Sequence, residues 1–315
     1  MDHFFRYTAP MITLRQMTYF LALAETRSFS AAAERVHVTQ PALSQQIKEM
    51  EATLGTQLVE RLPRDIRLTR AGQVVLERTR TILAMTRDLE AEIRLSKGLR
   101  GRLALGVIPT IAPYLLPRAL TRIRAAALDL DMRVREAQTA ELISLVAHGH
   151  LDAAVIALPY DTEGLTARPL FRDRFLLAGS RDRIAAATTT PRPTDLSPDT
   201  LLLLEEGHCL ADQALEVCGL RRQRRTVDLG ASSLATLCGL VAQGFGLTLV
   251  PELALCTEMA ASPDMAVTRF TAPEPSRTVA LVRRQSTEVK EWFTALGDLL
   301  SEAGEELLAE ARRRG

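Results

Sequence analysis

The sequence predicts an α/β domain preceded by a small all-α domain with a β-wing, the two joined by one long linker helix. Three observations carry that reading. Beyond residue 101, apolar strand-like runs alternate with helical ones, the pattern of an α/β domain with largely parallel sheets. From Ala71 to Lys97 there is no helix breaker, and Val75, Ile82 and Leu89 repeat at seven with Met85, Thr86 and Ile93 filling the seam. That is the heptad stripe of a helix pair. Before it, short helical periodicities are punctuated by Ser, Pro and Gly at capping positions.

The first eleven residues read as an extension, 1–11, ahead of the pattern proper. From Leu14 to Glu25, Leu14, Met17, Tyr19, Phe20, Leu21, Leu23 and Ala24 recur at helical spacing. Ser28 or Ser30 caps a short second helix reaching Val36, and His37-Val38-Thr39 makes a tight connection. Pro41 suits the first turn of a third helix that Gly55 ends. Gln57 to Thr69 then gives two short alternating strands around a Pro-Arg-Asp turn, a wing. Thr69 caps the long helix, and Gly98-Leu99-Arg100-Gly101 closes it. Beyond that point Leu103–Ile108, Met132–Glu136, Ala153–Ala157, Phe175–Ala178, Leu201–Leu204, Leu247–Val250, Val267–Phe270 and Thr278–Val282 read as strands. Helices are expected near Pro117–Ala127, Thr139–His148, Cys209–Cys218 and Ser232–Gln243, with a last one from Thr287.

Composition removes several function classes. At 315 residues the chain is too long for one typical domain. A net charge of +1 gives no global basic signature, so nucleic-acid binding has to come from a local patch. Cys209, Cys218, Cys238 and Cys256 are too few and too clustered for a secreted disulfide scaffold. No apolar run has the length of a membrane span, and Met1 to Arg6 lacks the basic-then-apolar pattern of an export signal. A reducing cytoplasm is the expected compartment, with no membrane partner. His148-Gly149-His150 has no third ligand nearby, and Gly244-Phe245-Gly246 lacks the third glycine and strand context of a dinucleotide fingerprint. No metal, cofactor or turnover chemistry is expected.

Two short helices, a tight connection and a polar helix opening at Thr39-Gln40-Pro41 form a helix-turn-helix pattern, whose second helix enters a major groove N-terminus first. Gln40, Ser44 and Gln45 suit base edges, while Lys48, Arg61, Arg64 and Arg67 can reach phosphates. The runs Phe20-Leu21-Ala22-Leu23-Ala24-Glu25, Val38-Thr39-Gln40-Pro41-Ala42-Leu43-Ser44-Gln45-Gln46-Ile47 and Leu68-Thr69-Arg70-Ala71-Gly72 resemble the LysR-type transcriptional regulators. That resemblance implies an all-α winged helix-turn-helix domain at 12–69 and a linker, dimerising helix at 70–98. It also implies a periplasmic-binding-protein-like effector domain of two lobes at 101–315. Lobe I would take about 101–171 and 270–315, and lobe II about 172–269. The partners it implies are double-stranded promoter DNA, further copies of the chain as a tetramer built from two dimers, and RNA polymerase.

Gly207-His208-Cys209-Leu210-Ala211-Asp212-Gln213-Ala214 carries a cysteine where a helix begins, with Cys218 nine residues on. Nine helical residues rise about 13 Å, whereas bridged cysteines need Cα atoms within about 7 Å. The two thiols therefore cannot pair while the helix stands. Together with Gly106-Val107-Ile108-Pro109-Thr110, Glu136-Ala137-Gln138-Thr139 and Pro273 to Thr278, this motif is similar to the hydrogen-peroxide-sensing OxyR subgroup. The similarity implies that peroxide is the effector and that Cys209 and Cys218 are redox-active. It places Thr110, Thr139, His208, Asp212 and Arg277 around Cys209, and it makes glutaredoxin or thioredoxin the reductant. A helix N-terminus lowers a thiol pKa, so Cys209 is expected to be an activated thiolate. Arg277 is expected to stabilise that thiolate and the departing oxygen. Asp228 stands where some relatives carry histidine, and Arg221-Arg222-Gln223-Arg224-Arg225 is an unusually basic run. The competing readings are a metabolite sensor of the same family binding in the inter-lobe cleft, and a thiol peroxidase.

Overall fold

The protein is described from a computed structural model, covering residues 11–62, 65–95, 101–126, 130–186, 189–220, 231–285 and 291–314. The contacts divide the chain into two units, Met1–Glu90 and Ala91–Gly315. The expectations for residues 1–10, Arg64, the end of the linker helix past Leu95, the Arg221–Arg225 run and Asp228 lie outside the described residues.

The first unit contains α1 (Leu14–Thr26), α2 (Phe29–Arg35), α3 (Gln40–Leu54), β1 (Val59–Leu62), β2 (Asp65–Leu68) and most of α4 (Arg70–Leu95). Each boundary has a local cause. Thr13 and Gln16 close a reciprocal capping box on α1. Ser28, rather than Ser30, caps α2 by accepting from the Ala31 amide. Gly55 ends α3 in the left-handed conformation, φ 67°. The Thr69 hydroxyl accepts from the Gly72 amide at 2.9 Å and opens α4. Phe20, Leu23, Leu43, Ile47, Met50 and Leu58 are fully buried where the three helices meet β1 and β2. Burying each is worth about 1.5–3 kcal/mol. The wing is an antiparallel pair with Val59 opposite Leu68 and Leu62 opposite Asp65. On α4, Val75 turns toward this core, whereas Ile82, Met85, Leu89 and Ile93 stay exposed at a spacing that keeps them on one face.

In the second unit, β3 (Gly101–Val107), α5 (Ala112–Ala126), β4 (Leu130–Glu136), α6 (Thr139–Ala147) and β5 (Ala153–Leu158) alternate. They are followed by β6 (Leu165–Ser180), α7 (Arg181–Ala185), α8 (Cys209–Val217), α9 (Leu234–Ala242) and β7 (Thr248–Pro251). The unit ends with α10 (Leu255–Ala261), β8 (Met265–Thr268), β9 (Ser276–Arg284) and α11 (Glu291–Arg314). The sheet has the order β4-β3-β5-β9-β6-β7, with β8 also pairing β6.

Two expectations are corrected here. The sheet is not largely parallel: β3 pairs β4 and β5 in parallel, but β9 runs antiparallel to β5 and β6, and β6 antiparallel to β7 and β8. The departure comes from β9, which arrives late in the chain and inserts between β5 and β6, antiparallel to both, and from the far part of β6, which pairs antiparallel with β7 and β8. Leu201–Leu204 is not a strand but makes two isolated bridges, to Leu247 and Ala231. A turn at Glu205 to Gly207, with Gly207 at φ 94°, ends the extended run there. The 16-residue β6 pairs β9 up to Arg174 and β7 or β8 from Phe175 onward. One strand thereby runs from one half of the unit into the other.

Candidate functional site

In the N-terminal unit, α3 presents one polar face. Thr39, Gln40, Pro41, Gln45 and Lys48 are exposed and Ser44 is half-buried, while Leu43, Ile47 and Met50 hold the opposite face in the core. The Gln45 amide donates to Glu49 at 3.0 Å, and the Gln46 amide to the other Glu49 oxygen at 2.7 Å. Glu49 thus fixes both amides along the helix when no other acceptor is present. Arg67 is exposed on β2, 3.8 Å from Asp65. Arg61 lies on β1, its side chain outside the described residues, as is all of Arg64.

In the second unit, Ile108, Pro109, Thr110, Gln138, Thr139, Gly207, His208 and Cys209 line one recess. Thr110 follows β3, Gln138 and Thr139 open α6, and His208 and Cys209 open α8. The recess is too narrow to seat even a water-sized molecule without some movement of its walls. Cys209 is partly exposed, and Thr110, Thr139 and His208 are buried.

Arg277, on β9, is fully buried and carries the wall on the Thr110 side. Its Nη1 donates to the Thr110 hydroxyl at 2.9 Å and its Nη2 to the Thr110 carbonyl at 3.2 Å. Its Nε donates to Asp173 at 3.0 Å, and it lies over the Phe175 ring, 5.9 Å from the centroid. Asp173, also fully buried, accepts from the Leu253 amide at 3.0 Å. The Thr110 oxygen is therefore occupied as an acceptor, leaving its proton free to be donated. The Thr139 hydroxyl is buried and makes no well-formed hydrogen bond. It nonetheless lies close enough to the Cys209 sulfur to favour the thiolate.

The electrostatics correct one expectation. Burial pushes the Cys209 thiol above its ordinary range; Arg277, Thr139 and the Leu210 amide pull it down without overcoming that penalty. Cys209 thus rests as a shielded thiol and not as a standing thiolate. Asp212 stands one helical turn on, exposed, and outside the recess lining; its charge opposes the thiolate. Burial lowers the His208 pKa, against the pull of Glu205, so the imidazole favours its neutral form. The Cys218 thiol is buried and pushed up to about 11.

Cys209 begins α8, and Cys218 caps its end. None of the four cysteines is joined in a disulfide. The helix holds the two sulfurs' residues about 13 Å apart along its axis.

Two residues of this region carried no role in the sequence reading. Asp173 sits in a strand run whose alternation conceals a buried carboxylate. Gln138 was visible inside the Glu136-Ala137-Gln138-Thr139 run, yet nothing local marks it as part of a wall. Tyr114, on α5, donates to Glu258 of α10 at 2.6 Å in a buried bond that ties those helices together. Among the described residues, no group of three or more side chains is arranged to hold a metal, and no helix is long and apolar enough to cross a membrane.

Residues 14–73 match the family model of the bacterial regulatory helix-turn-helix protein, lysR family, and residues 96–305 match the LysR substrate binding domain. The chain is 39% identical to the HTH-type transcriptional regulator EstR of Acinetobacter baylyi, over 93% of this chain and 97% of that one. It is 37% identical to the hydrogen peroxide-inducible genes activator of Dickeya chrysanthemi, over 92% and 95%. Among solved structures, it is similar to a hydrogen-peroxide-bound cysteine-to-serine mutant of OxyR from Corynebacterium glutamicum. The TM-score is 0.66 at 33% identity, covering 98% of this chain and 97% of the other.

Proposed function

The chain belongs to the LysR family of bacterial transcriptional regulators, in the branch of the OxyR proteins, and on that premise we propose that it switches promoter contacts when peroxide oxidises Cys209. The observation that carries the proposal is the recess itself. A largely shielded thiol, a Thr139 hydroxyl without a well-formed bond and a Thr110 hydroxyl with a free proton converge on a narrow recess that a small movement of its walls would open to a very small polar effector. A hydroperoxide both donates and accepts hydrogen bonds and matches that set. A metabolite large enough to fill an inter-lobe cleft would need a far larger movement of these walls than peroxide does.

The chemistry balances in two steps. Cys209 sulfur attacks one peroxide oxygen, the O–O bond breaks, and the distal oxygen leaves as water; the sulfur, oxidised by two electrons, becomes a sulfenic acid. The thiol proton is passed to the leaving oxygen, with neutral His208 in the same recess able to carry it. Arg277 stabilises charge on the sulfur and on the departing oxygen. Cys218 then attacks the sulfenic sulfur, a second water leaves, and a disulfide forms. Because α8 keeps the pair about 13 Å apart, that bond requires α8 to unwind, and the rearranged lobe is the signal.

On the output side, Thr39 and Pro41 open the helix that enters the groove, Gln40, Ser44 and Gln45 read base edges, and Lys48, Arg61, Arg64 and Arg67 reach phosphates from the helix and wing. The exposed Ile82, Met85, Leu89 and Ile93 stripe pairs with a second copy, and two such dimers make a tetramer. The setting is the cytoplasm, with RNA polymerase as downstream partner and glutaredoxin or thioredoxin returning the thiols. Footprinting of a bound promoter with and without peroxide tests the proposal. The wild-type footprint should change, and that of Cys209→Ser should not. A serine variant that still responds overturns it and favours a metabolite-sensing mechanism.

A further inference from the structure

In this conformation the recess beside Cys209 has no room for a water-sized molecule, so a molecule entering it has to displace part of the wall. Most of the wall is held firmly. Ile108 and Thr110 are buried, with the Ile108 amide bonded to Val155 and Arg277 bonded to both Thr110 oxygens. Thr139 and His208 are buried as well. Of the lining residues, only Gln138 and Gly207 are exposed, and Gly207 has no side chain to move. Gln138 is thus the one exposed side chain in the wall.

Its placement is specific. Gln138 is the N-cap residue of α6, yet its side chain makes no capping bond. Instead it reaches from the α6 side of the recess to the α8 side, where Nε2 donates to the Glu206 carbonyl at 3.4 Å, a long and weak bond. Its amide lies directly on the Gly207 backbone. A Cβ at position 207 would stand 2.3 Å from Gln138 Oε1, 2.7 Å from Cδ and 2.8 Å from Nε2. Gly207 also has φ 94°, where a side chain is strained regardless of space. The glycine gives the amide a surface to rest on, two residues before the cysteine.

We propose that the Gln138 side chain is a gate over Cys209, closed by one weak hydrogen bond and by contact with Gly207. Its swing sets the size of the molecule that reaches the sulfur. Resting on the reading of Cys209 as the peroxide-reactive thiol, the inference makes Gln138 a residue that determines specificity, admitting hydrogen peroxide and excluding bulkier hydroperoxides. Gln138 touches the incoming molecule as it passes and takes no part in bond making.

The test uses the full reduced chain, with wild type, Gln138→Ala and Gln138→Met, the last keeping the length of the side chain without its amide. Three rates at Cys209 are measured: alkylation by iodoacetamide, sulfenic acid formation with hydrogen peroxide, and the same with tert-butyl hydroperoxide. Gln138→Ala should raise the alkylation and tert-butyl hydroperoxide rates by about tenfold or more, the range that a methylene or two decides at a shaped pocket. The hydrogen peroxide rate should change much less, and Gln138→Met should keep the wild-type ratio between the two peroxides. Unchanged alkylation with an unchanged peroxide ratio in Gln138→Ala overturns the gate, whatever its effect on thermal stability. Faster alkylation with no peroxide oxidation of Cys209 in any variant upholds a gate over the thiol and overturns the peroxide reading instead.

Discussion

Replacing Arg277 by Met tests whether the buried Arg277–Asp173 pair supports the recess. Both side chains are fully buried, and the guanidinium donates to Asp173, to the Thr110 hydroxyl and to the Thr110 carbonyl. Met fills much of the volume but leaves a buried carboxylate without its cation, a defect that costs about 3–5 kcal/mol. With a urea dependence of about 2–3 kcal/mol per molar, the unfolding midpoint should fall by about 1–2 M. The single tryptophan, Trp292, lies buried in the second unit, so its fluorescence reports unfolding of that unit.

The sign with pH is also set. Burial already pushes the Asp173 carboxyl up, and Arg277 and the Leu253 amide pull it back. Without Arg277, the folded-state pKa rises further above the unfolded value. Its stabilising contribution is then present in full below about pH 4 and lost as pH rises toward the folded pKa. The deficit of Arg277→Met should therefore be larger at pH 8 than at pH 5. Adding Asp173→Asn removes the orphan charge while keeping an acceptor for the Leu253 amide, and should recover about 1–2 kcal/mol. A loss below about 1 kcal/mol for Arg277→Met, or a double variant less stable than the single, would refute this account of the pair.

Three further outcomes follow from the same geometry. Because burial raises the Cys209 thiol and the thiolate is the nucleophile, its alkylation rate should climb with pH through 7 to 9, about tenfold per unit, with no plateau near neutrality; a plateau below pH 7 would mean a standing thiolate. Leu89→Glu on the exposed α4 stripe should lower the association state in sedimentation while leaving helical content intact, and an unchanged oligomer would remove the stripe from the interface. Arg67→Ala should lower the salt dependence of DNA binding by about one unit of slope uniformly across sequences, whereas Gln45→Ala should cost about 1–3 kcal/mol at one base position; a uniform loss for Gln45→Ala would move it to the backbone-positioning set.

How far the sequence could be read depended on the range of the physics involved. Capping is local, and Thr69, Gly55 and Pro41 mark helix ends at or within a residue or two of where they occur. The cysteine spacing likewise depends only on helix rise, and α8 does run from one cysteine to the cap at the other. Strand direction is not local. The long β9 returns antiparallel between β5 and β6, and nothing within the Ser276 to Arg284 run declares which neighbours it will find. The Cys209 environment failed for a related reason. A helix N-terminus is visible in the sequence and argues for a lowered pKa, but the burial that outweighs it comes from residues distant along the chain. Asp173 and Arg277, 104 residues apart, show the same limit: a buried pair becomes evident only once both strands are in place.

The central claim is that peroxide joins Cys209 to Cys218 by unwinding the helix between them. Mass spectrometry of the full chain after brief treatment with stoichiometric peroxide, with free thiols blocked before digestion, tests it most directly. The account predicts a single new species carrying a Cys209–Cys218 disulfide, with Cys238 and Cys256 recovered as blocked thiols. In Cys218→Ser it predicts a sulfenic acid at Cys209 that proceeds to higher oxides. A disulfide involving Cys238 or Cys256, or peroxide-treated protein in which Cys209 remains a blocked thiol, would contradict it.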